Sequence, residues 1–177
     1  RRARKGWGAD VTPEFLAAYK AGRLVKVSRM NDGFMRPAYP QQLIFSYYQA
    51  SLVGELIERD FGQRAIVDML NAYKTGATTE QVFQRVLKLS PEAFDAKFDA
   101  YLKQRFGKLL AVIEPKDVRK DAVPRAPAVD GEYTTTLSQG IAALEMKKYD
   151  EAITWLDKAK ALFPEDASAQ GPYWLLA

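Results

Sequence analysis

The chain has 177 residues, 47% of them hydrophobic, which is enough apolar material for one ordinary domain or a domain with a small appendage. It contains no histidine and no cysteine, so it lacks the usual zinc ligands, the imidazole base of nucleophilic triads and any disulfide framework. The formal charge of +4 is interspersed apart from the opening RRARK and the patch KDVRK (Lys116 to Lys120); no basic face interleaved with aromatics points to nucleic acid, and no apolar run is long enough for a transmembrane segment.

In chain order, VTPEFLAAYKAG (Val11 to Gly22) predicts a short helix, with Thr12 as N-cap, Pro13 at the first helical position and Gly22 as the stop. LVKVSRMNDGFMRPAYP reads as an irregular loop with room for one brief strand, and Asn31-Asp32-Gly33 as a turn without the spacing of a calcium loop. From Gln41 to Phe61 apolar residues surround the first three turns, including Leu43, Ile44, Phe45, Tyr47 and Tyr48, which predicts a central buried helix ended by Gly62. Ala65, Ile66, Met69, Leu70 and Tyr73 mark a second amphipathic helix, closed by Thr75-Gly76. Thr78 and Gln81 form a capping box ahead of Val82, Phe83, Val86 and Leu87. Ser90-Pro91-Glu92 then opens the longest helix, carrying Phe94, Phe98, Tyr101, Leu102, Phe106, Leu109 and Leu110.

EPKDVRKDAVPRAPAVDG (Glu114 to Gly131) is rich in Pro, Ala and charge without an apolar period, and reads as an extended linker. A separate helical pair follows, Thr134 to Met146 and Tyr149 to Phe163. The expected fold is all-α, divided into a helical subdomain at 1–113, a linker at 114–132 and a repeat-like part at 133–177.

The last part, GIAALEMKKYDEAITWLDKAKALFPED, matches the tetratricopeptide pattern. Gly140 holds the small position of the first helix, and Tyr149, Ala152, Leu156, Ala159 and Pro164 fall at the spacings of the second helix and its end. A generic helical hairpin, sharing these residues through close packing alone, is the other reading. PYWLLA (Pro172 to Ala177) resembles the opening of a further repeat. A repeat buries its apolar face only against neighbours, so this one calls for packing from the preceding helices or from a second copy, which gives it a route to self-association. Repeats of this kind bind proteins or peptides.

Tyr47-Tyr48-Gln49-Ala50-Ser51-Leu52-Val53-Gly54-Glu55-Leu56-Ile57-Glu58-Arg59-Asp60-Phe61-Gly62, followed by Ala65-Ile66 and Leu70 to Tyr73, resembles the helices that follow the third zinc ligand in gluzincin metallopeptidases. More closely, residues 1–113 resemble the C-terminal part of the bacterial peptidase MA-like domain fused to tetratricopeptide repeats. The resemblance implies a parent protein with zinc on an HExxH helix and a downstream glutamate, both outside this chain, which itself holds no cofactor and no metal ligands. In such a site a Tyr hydroxyl stabilises the tetrahedral oxyanion. Tyr47 matches that position, counted from Ala50 and Gly62; Tyr48 is the alternative if the helix is rotated, and Tyr39 is a third candidate. Successive helical residues point about 100° apart, so at most one of Tyr47 and Tyr48 can face a given cleft. A Tyr at the start of a buried helix is also an ordinary core residue with its hydroxyl at the rim. Aminopeptidases of the clan carry Glu-Lys-Gly after the Tyr; here Tyr48-Gln49-Ala50 follow, which leaves aminopeptidase specificity unsupported.

The remaining constellations read as structure. Glu55, Glu58, Arg59 and Asp60 suggest a solvated face, and Asp95, Lys97, Asp99 and Lys103 suggest surface ion pairs. Trp7, Trp155 and Trp174 are too scattered for a ligand cage. The opening RRARKGWG lacks the initiating Met and apolar core of a signal peptide and reads as a piece of a longer chain. The compartment stays open: the resemblance favours periplasm or envelope, and the missing cysteines fit the cytoplasm equally. Two functions are therefore expected of the chain. One is a segment of a repeat-containing zinc metallopeptidase-like protein, inactive in isolation; the other is a non-catalytic scaffold whose repeats supply protein interaction.

Overall fold

A computed structural model describes residues 11–116 and 128–177. They form an all-α protein whose β-structure is one two-stranded ladder. RRARK, Trp7 and Asp117 to Lys120 of the KDVRK patch lie outside the described residues. Two compact units emerge, Leu24–Arg105 and the described residues up to Arg23 together with Phe106–Ala177. This division differs from the expected one at residue 113, because the first helix groups with the C-terminal part of the chain.

The Leu24–Arg105 unit is built on α3 (Pro40–Phe61), which starts at Pro40 and ends at Gly62, where φ is +80°. Within residues 24–39, expected as a loop with room for a strand, Val27–Met35 is helical instead, while 24–26 and 36–39 are irregular. A 3₁₀ turn at Val27–Arg29 leads into α2 (Met30–Met35), and Asn31-Asp32-Gly33 lies inside that helix. Tertiary packing overrides the weak helical preference of Asn and Gly here. A Cβ on Gly33 would stand 2.2 Å from Ser46 Oγ and 2.7 Å from Val25 Cγ2, so only glycine lets α2 press against α3. A buried polar row on α3 holds the same segment: Gln42 Oε1 accepts from the Ala38 amide at 2.5 Å, Ser46 Oγ donates to its own helix at Gln42 O, and Gln49 Nε2 donates to Val25 O at 2.6 Å.

α4 (Gln63–Lys74) follows, then α5 (Thr79–Val82), opened by the capping box: Gln81 N donates to Thr78 Oγ1 at 3.3 Å, and Thr78 N to Gln81 Oε1 at 3.0 Å. α5 continues as a π-helical turn, Phe83–Leu87, that stops at Lys88 in a left-handed conformation. Phe83 meets Phe94 of α6 (Pro91–Val112) edge to face at 5.0 Å, and Ser90 Oγ caps α6 by accepting from the Ala93 amide. Phe94, Phe98, Tyr101 and Leu102 of α6 are buried with Leu52, Leu56 and Ile57 of α3 in this unit's core.

In the other unit, α1 (Pro13–Lys20) begins as expected, with Thr12 Oγ1 accepting from the Phe15 amide at 3.2 Å, and it buries Phe15, Leu16, Ala17 and Ala18. Phe106, Leu109 and Ile113 are buried at and beyond the end of α6. The ends of the expected linker pair as β1 (Glu114–Lys116) and β2 (Ala128–Asp130), antiparallel, with Pro115 opposite Val129. Gly131, at φ +112°, then turns the chain beside Val112, whose carbonyl oxygen would lie 2.5 Å from a Cβ. α7 (Glu132–Glu145) and α8 (Tyr149–Leu162) form the helical pair, joined at Lys147 in a left-handed conformation, and α9 (Pro172–Leu175) follows.

Candidate functional site

The two adjacent tyrosines of α3 separate sharply. Tyr48 is buried at 7% exposure, whereas Tyr47 is 63% exposed and touches the Phe34 ring edge to face at 5.0 Å. Tyr39, the third candidate, is buried and meets Phe45 edge to face. Among the described residues the Tyr47 hydroxyl has no hydrogen-bond partner. Ile44, one turn before Tyr47, is 66% exposed, and Leu43 and Met35 are exposed as well. This corrects the expectation of a helix buried all round. The side of α3 that faces the core carries Gln42, Ser46 and Gln49, and Gln42 Oε1, Ser46 Oγ and Gln49 Nε2 bond the backbone of residues 24–39 or of α3 itself.

The same unit holds a groove of about 230 Å³ between the 3₁₀ turn, α3, α4 and the π-helical turn. Its walls are Met30, Val53, Ile57, Met69 and Phe83, with Tyr73 and Thr79 among its polar lining. Ser28 is fixed at the groove by Asp95 of α6, which accepts from Ser28 N at 3.0 Å and from Ser28 Oγ at 2.6 Å. Asp95 therefore serves the interior of the unit instead of pairing with its neighbours on α6. Tyr47 does not line the groove, so the sequence candidate and the cavity are separate. Among the described residues no side chain with a formal charge lines the groove, and its walls are mostly apolar.

The charged cluster at the end of α3 is exposed, and Glu55 and Asp60 in it are bonded to side chains of α6. Tyr101 donates to Glu55 Oε2 at 3.0 Å, and Arg105 bonds both the Tyr101 hydroxyl, at 2.7 Å, and Glu55. Asp60 receives Arg59 Nε and Lys97 Nζ, each at 2.6 Å, and these two hydrogen bonds, Arg59 first, lower its pKa from 3.8 to about 2. Arg59 also lies 5.0 Å over the Tyr101 ring. Sequence spacing could not find these partners, because Lys97, Tyr101 and Arg105 belong to another helix.

The residues chosen for the repeat pattern mostly meet in one seam. A Cβ on Gly140 would stand 2.7 Å from Leu156 Cδ2 and 2.8 Å from its Cγ, so α7 and α8 approach at a point only glycine permits. Ala152, Leu156 and Ala159 are fully buried in that seam. Tyr149 and Pro164 stand outside it: Tyr149 is exposed at the start of α8, with Ile153 one turn on, and Pro164 follows the end of the helix, where its carbonyl accepts from the Tyr173 hydroxyl at 3.1 Å.

Zinc, which the resemblance places in a parent protein, finds no ligand set here: the chain has no His or Cys, and no group of three acidic residues converges among the described residues. No helix of the described residues is long and apolar enough to cross a membrane. Comparison with known protein families, with curated proteins and with solved structures finds no match to this chain.

Proposed function

We propose that this chain is a protein-interaction segment of a repeat-containing, peptidase MA-like bacterial protein. In this reading α7, α8 and α9 supply the opening of a tetratricopeptide array that binds a protein or peptide, and the unit holding Tyr47 lines a cleft completed by other parts of the parent. The observation that carries the interaction half is the Gly140–Leu156 contact, since a small residue at the crossing of a helical pair is what the repeat pattern requires. The apolar side chains left exposed on this part of the chain, Met146, Tyr149, Ile153 and Trp174, support it further. Single exposed apolar residues are ordinary, but a repeat buries such groups on its neighbour or its partner.

The test is a chimera in which one consensus tetratricopeptide repeat is fused after Ala177. Stacking raises stability through the interface between adjacent repeats, so the urea midpoint of the α7–α8 transition rises. An unchanged midpoint removes the repeat reading.

A catalytic parent is the second reading, and the exposed Tyr47 hydroxyl favours it. The present chain then binds no stoichiometric zinc after washing and does not cleave casein, whereas a longer protein carrying an HExxH helix loses cleavage on Tyr47→Phe. Stoichiometric zinc in the 177-residue protein sinks this assignment of ligands to other parts of the parent.

A further inference from the structure

We infer that the buried pair Tyr133 and Asp166 is a polar joint that sets the course of the chain from the α7–α8 hairpin into α9. The inference rests on the reading of α9 as the next element of the stack, and adds what directs it.

Tyr133, the second residue of α7, is 1% exposed, and its ring meets Phe163, at the end of α8, edge to face at 5.1 Å. α7 and α8 are antiparallel neighbours, so the start of one and the end of the other meet at this ring. Asp166, two residues past Pro164, is only 4% exposed. Its Oδ2 accepts from the Tyr133 hydroxyl, and its Oδ1 accepts from the Ser168 amide at 3.0 Å. A buried carboxylate is costly unless both oxygens are bonded. Here each oxygen has a partner, and both partners act on the course of the 164–171 turn.

Gly171 completes the joint. A Cβ there would stand 2.8 Å from the Asp166 carbonyl oxygen and 3.0 Å from its carboxyl group, so the turn closes directly over Asp166. Pro172 begins α9 at the next residue and is buried, whereas Tyr173 and Trp174 are 46% and 67% exposed. α9 packs on α8 through the buried Pro172 and the half-buried Leu175 and Leu176, and the joint fixes where that packing begins. On the outer side the Tyr173 hydroxyl donates to Pro164 O, which closes the turn a second time. Burial and the neighbouring Asp166 push the Tyr133 pKa far up, so the hydroxyl stays protonated and keeps donating throughout the ordinary pH range.

The experiment is ¹⁵N relaxation on the whole 177-residue protein and on two variants, Tyr133→Phe and Gly171→Ala. Tyr133→Phe keeps the ring against Phe163 and removes only the hydroxyl; Gly171→Ala lies in the turn and leaves the α7–α8 seam untouched. In the unaltered protein the amides of Ser168 to Leu175 have order parameters near those of α7 and α8, about 0.85, and in both variants they fall below about 0.6 while α7 and α8 stay rigid. Order parameters that stay high across Ser168 to Leu175 in either variant overturn the joint, and so does loosening spread equally over α7 and α8, which would make Tyr133 an ordinary core residue. If the fused repeat gives no stabilisation while these variants still free α9, the array fails and the joint stands; if the fused repeat stabilises while the variants stay rigid, the joint fails and the array stands.

Discussion

Gly140 and Leu156 touch at a distance that no side chain on residue 140 could share: a Cβ there would lie 2.7 Å from Leu156 Cδ2. Gly140→Ala improves intrinsic helix propensity by up to about 1 kcal/mol, but it drives a methyl into both Cδ2 and Cγ of a fully buried leucine. Overpacking of that kind costs about 1–3 kcal/mol, so the net change is a loss of about 1 kcal/mol, read as a lower urea midpoint.

Gly107 provides the opposite sign. It lies inside α6 on an exposed side, and a Cβ there would meet nothing within 4 Å. Gly107→Ala therefore raises stability by about 0.5–1 kcal/mol in the same urea titration, because only the backbone entropy of the unfolded chain changes.

Lys20 acts as a side-chain cap. Its Nζ donates to Leu110 O at 3.0 Å and Ile113 O at 2.8 Å, carbonyls in the last turn of α6 and just past it, and pairs with Glu114. A cation at this end also suits the helix dipole. Lys20→Ala costs about 1–2 kcal/mol by loss of these bonds and lowers the melting temperature, while Lys20→Arg retains part of the effect.

The neighbouring tyrosines of α3 respond unequally to substitution. Tyr47→Phe removes a hydroxyl that bonds nothing among the described residues and changes stability by less than about 0.5 kcal/mol. Tyr48→Ala empties a buried site and costs about 3 kcal/mol or more. Equal effects in thermal denaturation would place Tyr47 in the core.

Asp60 gives a pH signature. Its pKa is lowered from 3.8 to about 2 by the hydrogen bonds of Arg59 and Lys97. A depressed carboxylate contributes stability that is fully present above its unfolded value and is lost as pH falls through the folded one. The window is therefore from about pH 4 down to about 2, and titration of the Asp60 carboxyl carbon by NMR reports it. Lys97→Met moves the midpoint back toward 3.8.

Helix starts were legible in the sequence because their signals are local. Thr12, the Thr78–Gln81 box and Ser90-Pro91 each act within one turn, and each stands where the spacing put it. Gly140, Ala152, Leu156 and Ala159 were legible for a related reason, since small residues at helical spacing mark one packed face. The helix within 24–39 was not legible because its determinants are distant: Gly33 is helical against Ser46, and Gln49 reaches back to Val25. Nor was the buried side of α3, because three polar residues face inward, and apolar periodicity assigns them to solvent.

By itself the sequence determined the all-α character, the positions of most helices, the absence of an imidazole or thiol and the small-residue seam of the last helical pair. Those are properties of composition and of contacts within a turn or two of the chain. Only the tertiary structure decided that Tyr47 is exposed and Tyr48 buried, that Asp95 serves Ser28, and that Tyr133 meets Asp166. Each of these depends on which remote group occupies the space beside the residue, and a period along one helix carries no record of that neighbour.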